Sequence, residues 1–321
     1  MIQLNPIFVS HMVFQANKPI RVFGEGEGEV RVGFVGEEDR TVARVKGEWL
    51  VELPPRPYGG PYTLSIALDG EEALLEDVWL GDVYLLAGQS NMQMMLGESN
   101  FPPEEYRGNE HVRLYSVKKE RAGEGWVILT RENAERFSAI GYHVAQALAR
   151  PDRKIGLLDC NRGATAIQTW MPPDVVCDPR FAVENKSYVH VKYAATNVES
   201  YLYRTMVARL TPFSMAAALW YQGESNASEG EAPIYLWMLE AMITSWRRDF
   251  SDATLPFIVV QIADCAARDT VWWRMIQDKQ LHAPEVIPYV QTVVSRDVCE
   301  NDNIHPATKH LLAARIAALL A

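Results

Sequence analysis

The sequence predicts an α/β layer architecture preceded by a small β domain. Two observations carry this. Hydrophobic patterning changes near residue 76, from short strands set between turns to continuous apolar runs. Beyond that point, the apolar runs alternate with stretches of helical periodicity, the order of elements that builds a parallel sheet with helices packed on it.

The first 75 residues read as strands. Pro19 to Phe23, Glu29 to Val35, Val42 to Val45, Trp49 to Leu53 and Tyr62 to Leu68 are separated by turns rich in Gly, Pro and charge. The clearest turn is Pro57-Tyr58-Gly59-Gly60-Pro61. Short strands at this spacing predict a small sandwich-like unit over 1–75. The remainder, 76–321, begins with Val83 to Ala87, an unbroken apolar run of the kind a buried parallel strand shows. Ile140 to Leu148 reads as a helix and Lys154 to Leu158 as the next strand. Tyr188 to Val207 contains a long helical stretch and Met215 to Trp220 another apolar run. Pro233 to Arg247 reads as a helix, Phe257 to Gln261 as a strand, and Ala307 to Leu320 as a closing helix.

Composition narrows the function. The chain has 321 residues, 48% of them hydrophobic, enough for a sizeable core. Its formal net charge of -10 disfavours phosphate backbones and anionic lipid. The run Lys118-Lys119-Glu120-Arg121 is short and interrupted and reads as a solvated face rather than a nucleic-acid patch. Cys160, Cys177, Cys265 and Cys299 are far apart, with no C-x-x-C spacing, and read as thiols rather than zinc ligands or disulfides. No uncharged apolar stretch reaches membrane-spanning length. With no secretory leader pattern after Met1, the expected location is cytoplasmic.

Four polar clusters sit where predicted strands end or a helix begins. Gly88-Gln89-Ser90-Asn91-Met92 follows the run ending at Ala87. Open ends of parallel strands are where such folds place ligands, and Gly88 permits a tight exit. Ser90 is a candidate nucleophile; it or Asn91 serves equally as a helix cap. Asp302-Asn303-Ile304-His305-Pro306 precedes the last helix. There His305 is a candidate base and Asp302 the carboxylate that would orient it, although the same residues suit a helix entrance. Asp159 to Thr165 and Trp220 to Asn226 follow two further apolar runs. Their glycines and amides can donate to an oxyanion or simply close turns. A serine, a histidine with a carboxylate and separate donors are together the parts for acyl transfer.

On Gly88-Gln89-Ser90-Asn91-Met92, Trp220-Tyr221-Gln222-Gly223-Glu224-Ser225-Asn226 and Asp302-Asn303-Ile304-His305-Pro306 the chain resembles the sialate O-acetylesterase family within the SGNH/GDSL hydrolases. His11 to Gln15 and Gly59 to Tyr62 resemble its small β domain. The resemblance implies a three-layer α/β/α SGNH-hydrolase-like domain with no metal or organic cofactor. It makes Ser90 the nucleophile, His305 the base and Asp302 the orienting carboxylate. It assigns the oxyanion to the amides of Ser90 and Gly163, with Gln222 where the wider family often has an asparagine. The wider family's G-D-S is Gly88-Gln89-Ser90 here, and its G-x-N-D is replaced by Gln222-Gly223-Glu224.

The expected activity is therefore hydrolysis of O-acetyl groups from a carbohydrate partner, a 9-O-acetylated sialic acid or another glycan such as acetyl xylan. A non-catalytic carbohydrate-binding protein on the same scaffold is the reading from another class. Arg162, Asn91, Glu224 and Trp170 are candidate substrate contacts. Trp170, Trp220, Trp272 and Trp273 can form a stacking wall, with core packing the expectation for at least two.

Overall fold

The computed structural model describes residues 3–37, 40–117, 125–183 and 191–321. The basic run at 118–121 and the start of the helical stretch from Tyr188 lie outside them. The strands are β1 Gln3–Leu4, β2 Val13–Gln15, β3 Ile20–Phe34, β4 Thr41–Leu53, β5 Gly59–Leu68, β6 Glu71–Gly88, β7 Asn109–Ser116, β8 Trp126–Leu129, β9 Ile155–Asn161, β10 Ala217–Tyr221, β11 Phe257–Val260 and β12 Val290–Val293. The α-helices are α1 Ser90–Gln93, α2 Arg131–Ala134, α3 Ala139–Leu148, α4 Pro173–Val176, α5 Tyr235–Asp249, α6 Val271–Leu281, α7 Ala283–Val286 and α8 His310–Leu320.

The C-terminal part of the sheet is parallel where it matters for function. β6 lies between β9 and β10, and β11 and β12 continue outward from β10, all parallel. β7 pairs parallel with β9 and carries β8 antiparallel on its other side. Gly88 is level with Asn161 on one side and Tyr221 on the other. Three adjacent strands thus end at one height, and the turns after them lie side by side. The C-terminal half of β6 and all of β10 are buried, and β9 nearly so, which is why these stretches read as apolar runs.

Strand β6 also belongs to the antiparallel sheet at the front of the molecule. Its first half pairs with β5, β5 pairs with β3, and β3 pairs with β4 and β1. The sandwich expected over 1–75 is thus drawn by the pairing as a single hydrogen-bonded sheet, and residue 76 falls inside β6. One hydrophobic core runs from Ile7 through Phe14 and Phe34 to Leu85, Trp220 and Ile316. The strands expected at Pro19 to Phe23 and Glu29 to Val35 are one, because β3 continues through Gly24, Gly26 and Gly28 in unbroken register with β4.

The helices form two groups. α3 packs against α8, while α5 packs against α6 and α7. α3 begins where the Ser138 hydroxyl accepts the Gly141 amide at 3.2 Å. The long helix expected up to Val207 is instead a 3₁₀ segment, Val191–Thr196, and a π-helical turn, Tyr203–Val207. No helix among the described residues is long and apolar enough to cross a membrane. The four cysteines are free thiols, Cys160 and Cys265 buried and Cys177 exposed.

The seam between α3 and α8 holds two imidazoles. His143 on α3 stands 6.0 Å from His310 on α8, and Phe101 meets the His143 ring edge-on at 4.6 Å. His143 Nε2 is buried without a hydrogen-bond partner. Burial, assisted by His310, pushes the His143 pKa down from 6.5 to about 4. The unfolded chain therefore takes up this proton at a higher pH than the folded one. Stability is complete above about pH 6.5 and falls as the pH drops towards 4. Urea midpoints measured between pH 7 and 4 should fall less in His143→Gln than in the parent protein, and parallel curves would refute this source of acid lability.

Candidate active site

The site grows from the turn after β6. Gly88 has φ +127°, and a Cβ there would stand 2.2 Å from the Tyr221 carbonyl oxygen, so β6 can leave the sheet beside β10 only through glycine. The chain then turns into α1, one helical turn that begins at Ser90. The residue before that turn, Gln89, donates no side-chain cap, and the Ser90 hydroxyl is not spent as one. Ser90 Oγ lies 2.7 Å from His305 Nε2. A neutral imidazole accepting at Nε2 can take the hydroxyl proton as the oxygen attacks.

His305 comes from the loop before α8. That loop is not a cap either, since the residue before α8 is Lys309 and no side chain caps the helix. The Asn303 side chain accepts the His305 backbone amide at 2.9 Å and closes the loop locally. The His305 pKa is lowered first by removal of its inner edge from water, then by the Lys309 charge; Glu98 opposes the shift. Asp302 does not fill its expected role. It is exposed and makes no hydrogen bond or ion pair with His305; the side chain that engages the His305 main chain is that of Asn303. Glu98, beside the same hollow, is the carboxylate whose charge His305 feels.

Two hollows flank the Ser90–His305 pair. The larger, about 750 Å³, is lined by Gln89, Gln93, Arg162, Gly163, Glu224, Ser225, Arg268 and Trp273 among others. The other, about 460 Å³, is lined by Gln93, Met94, Met95, Glu98, Asn303 and Ala307. Arg162 and Arg268 make no ion pair with any described residue, and the Arg162 Nε is buried without a partner. A net-negative protein thus presents two uncommitted guanidinium groups in one cleft.

The oxyanion donors expected from sequence divide. The Ser90 and Gly163 residues line the larger hollow, but the Gly163 amide donates to Gln93 Oε1 at 2.6 Å. That amide reaches a substrate oxygen only when the Gln93 side chain turns away. Gln222 is not at the cleft. It is fully buried, and its Nε2 lies within hydrogen-bond distance of Asn226 Oδ1 at 2.7 Å, the Thr165 carbonyl at 3.0 Å and Gln89 Oε1 at 3.2 Å. The Tyr235 hydroxyl donates to Gln222 Oε1 at 3.0 Å. Gln222 is a clamp between the turns after β6, β9 and β10, not an oxyanion donor.

Two candidate substrate contacts also lie elsewhere. Trp170 is enclosed, its indole donating to Thr165 Oγ1 at 3.1 Å and its ring set edge-on against Trp220. Bulky aromatic rings at strand ends fill the core before they line a cleft. Asn91 is buried beneath the site, its amide wholly engaged with Glu224, Ile304 and Lys309. Of the four tryptophans, Trp170 and Trp220 are core, while Trp273 lines the cleft and donates its indole N–H to the Ala263 carbonyl at 3.0 Å. Gln93, Glu98, Arg268 and Lys309 were not signalled by sequence. Gln93 had only its place one helical turn from Ser90; Glu98 and Arg268 end short 3₁₀ turns and Lys309 lies in the loop before α8, whose packing the sequence pattern does not report.

Two outcomes test this geometry. Gln222→Ala strands several buried acceptors and should lower folding stability by at least about 1–3 kcal/mol in denaturant titration. Its turnover per folded molecule should fall far less than that of Ser90→Ala. Asp302→Asn should retain most activity at neutral pH, and a loss of a hundredfold or so, the scale of a missing catalytic donor, would return Asp302 to the machinery.

The profile of carbohydrate esterases described as sialic acid-specific acetylesterase matches residues 80–319. The chain is similar to the sialate O-acetylesterases of Pongo abelii and Homo sapiens, 26% identical over 314 residues, covering 84% of this chain and 59% of each relative. It thus spans about three-fifths of the length of these curated relatives. Among solved structures it is similar to a carbohydrate acetylesterase from Xanthomonas citri, with 29% identity and a TM-score of 0.86 over 99% of this chain and 74% of that one. NanS shares the fold at 12% identity and a TM-score of 0.52, over 74% of this chain and 96% of that one.

Proposed function

Because the chain belongs to the sialic acid-specific acetylesterase family of carbohydrate esterases, matched over residues 80–319, we propose that it is a serine esterase that hydrolyses O-acetyl groups on a carbohydrate and releases acetate. The observation that carries this reading is the 2.7 Å approach of Ser90 Oγ to His305 Nε2 at the mouth of a cleft. The similarity to curated sialate O-acetylesterases supports it.

In the proposed reaction Ser90 Oγ attacks the acetyl carbonyl carbon while His305 Nε2 takes its proton. The carbonyl oxygen becomes an oxyanion held by main-chain amides, that of Ser90 and, once Gln93 has turned aside, that of Gly163. Collapse of this intermediate expels the sugar oxygen, which takes the proton from His305. Water, deprotonated by the same imidazole, then attacks the acetyl-serine, and acetate leaves with Ser90 restored. His305 acts throughout as base and then acid, so its lowered pKa keeps the base form available in mildly acidic solution.

Arg162 and Arg268 favour an acidic sugar over a neutral one. Two guanidinium groups without carboxylate partners suit a substrate carboxylate, whereas a neutral xylan backbone would gain nothing from them. We infer that the substrate is an O-acetylated sugar acid, of which a sialic acid is one.

Acetate release from O-acetylated sialic acids, acetylated xylo-oligosaccharides and a chromogenic acetyl ester tests the reading. Ser90→Ala should abolish release on every substrate; near-normal turnover in the folded variant would sink the serine mechanism. The rate should rise with pH and reach half its plateau below the ordinary imidazole value of about 6.5, because the His305 pKa is lowered. Arg162→Ala should raise KM for the acidic sugars by about tenfold, a single charge-assisted contact, and leave the uncharged ester unaffected. Equal effects on both would count against an anion subsite.

A further inference from the structure

Beneath the Ser90–His305 pair lies a buried charge that the acyl-transfer steps do not use. Lys309 is fully buried, four residues after His305 and immediately before α8. Its Nζ donates to Asn91 Oδ1 at 2.7 Å and stands 5.6 Å from the centre of the Tyr221 ring. Asn91 Nδ2 in turn donates to Glu224 Oε1 at 2.6 Å and to the Ile304 carbonyl at 2.9 Å. Asn91 follows the nucleophile directly, Ile304 directly precedes the base, and Glu224 sits in the turn after β10. One side-chain amide therefore joins the three segments that form the cleft floor.

An amide can flip, exchanging its acceptor and donor ends. An ammonium group can only donate, so Lys309 allows one orientation, with Oδ1 towards itself and Nδ2 towards Glu224 and Ile304. A buried ammonium is costly, and a methionine would fill similar space without that cost. The Glu224 carboxylate is buried too, with Oε2 lacking a partner, and its pKa is raised by burial while Asn91 and Lys309 act against the rise. Burial lowers the Lys309 pKa to about 8.

We propose that Lys309 is a positioning residue for the esterase reaction: its ammonium fixes the Asn91 amide and so holds the nucleophile turn and the base loop in register. The proposal rests on the serine-esterase reading. The charged and titratable groups around the relay are Glu224 and Tyr221 from β10 and the turn after it, Cys299, Glu300 and His305 from the loop before α8, Arg315 on α8, which acts on Cys299, and Glu98 from the segment after α1, which acts on His305. Among them, Lys309 disfavours the protonated form of His305 and Glu98 favours it.

The test compares wild type, Lys309→Met, Lys309→Met/Glu224→Gln and Ser90→Ala, using the chromogenic acetyl ester from about pH 5 to 9, which brackets imidazole titration. Folding is checked by circular dichroism. In Lys309→Met, kcat should fall about tenfold or more, the scale on which small misplacements of reacting groups act, with KM little changed. The acid limb of kcat/KM should move towards neutral pH. A merely structural lysine would lower the folded yield and leave the plateau kcat of the folded enzyme unchanged, whereas loss of the Lys309 charge moves the limb in either case. The double variant removes both buried charges and so leaves neither uncompensated. It should fold at least as well as Lys309→Met, recover part of its kcat and keep the shifted limb. An undiminished plateau kcat in folded Lys309→Met, with Ser90→Ala inactive, overturns the positioning role alone. Activity in Ser90→Ala overturns the esterase reading instead.

Discussion

The cleft depends on an enclosed set of amide hydrogen bonds centred on Gln222. Parallel strands leave their C-terminal turns unpaired, and three of those turns meet here above β6, β9 and β10. Water cannot satisfy their polar groups once the core closes over them, so side chains must. Gln89 Oε1 receives Gln222 Nε2 and the amides of Ser225 at 3.3 Å and Gly223 at 3.5 Å. Asn226 accepts the Ile167 amide at 2.9 Å and donates to Gln168 Oε1 at 2.9 Å. Gln280 from α6 closes the set on the Gln222 carbonyl at 2.7 Å. Each bond contributes modestly, about 1 kcal/mol, but an unmade one inside the core costs more than that. The turns are therefore held together or lost together, and the serine turn is one of them.

Much of the architecture was legible in the sequence because the parallel strands are buried on both faces. Met215 to Trp220 and Phe257 to Gln261 mark β10 and β11 to within a few residues, and Val83 to Ala87 marks the C-terminal end of β6. β7, β8 and β12 gave weaker signals. Their segments are short and mix buried with exposed positions, as in Trp126–Leu129, where only the two end residues are buried. β3 was split because its glycines read as turns, whereas pairing with β4 keeps them extended.

The site was legible in its residue types and less so in their directions. Ser90 and His305 stand at the ends of recognisable patterns, and the fold brings them together across 215 positions. Gln222 was read from the family resemblance, and Asp302 from its spacing before His305 together with that resemblance. A side chain at a strand end points into the core or into the cleft according to the twist of the sheet and the packing of its neighbours, here α6 and Tyr235, which local sequence does not report. Lys309 was invisible for the opposite reason. A lysine reads as surface, and only tertiary structure reveals that its ammonium lies under the reacting pair.

Strand β6 has a mechanical consequence. Its eighteen residues form the spine of both sheets, with β2 beside its middle at Val13 to Gln15. A load applied to the front sheet is thus transmitted along a single covalent segment to Gly88, two residues from Ser90. The front sheet is not cargo that can be clipped off: cutting at its apparent edge would sever the spine midway and strip β2 from its place beside Trp79 to Gly81. It is a foundation, anchoring the strand whose end carries the turn of Ser90.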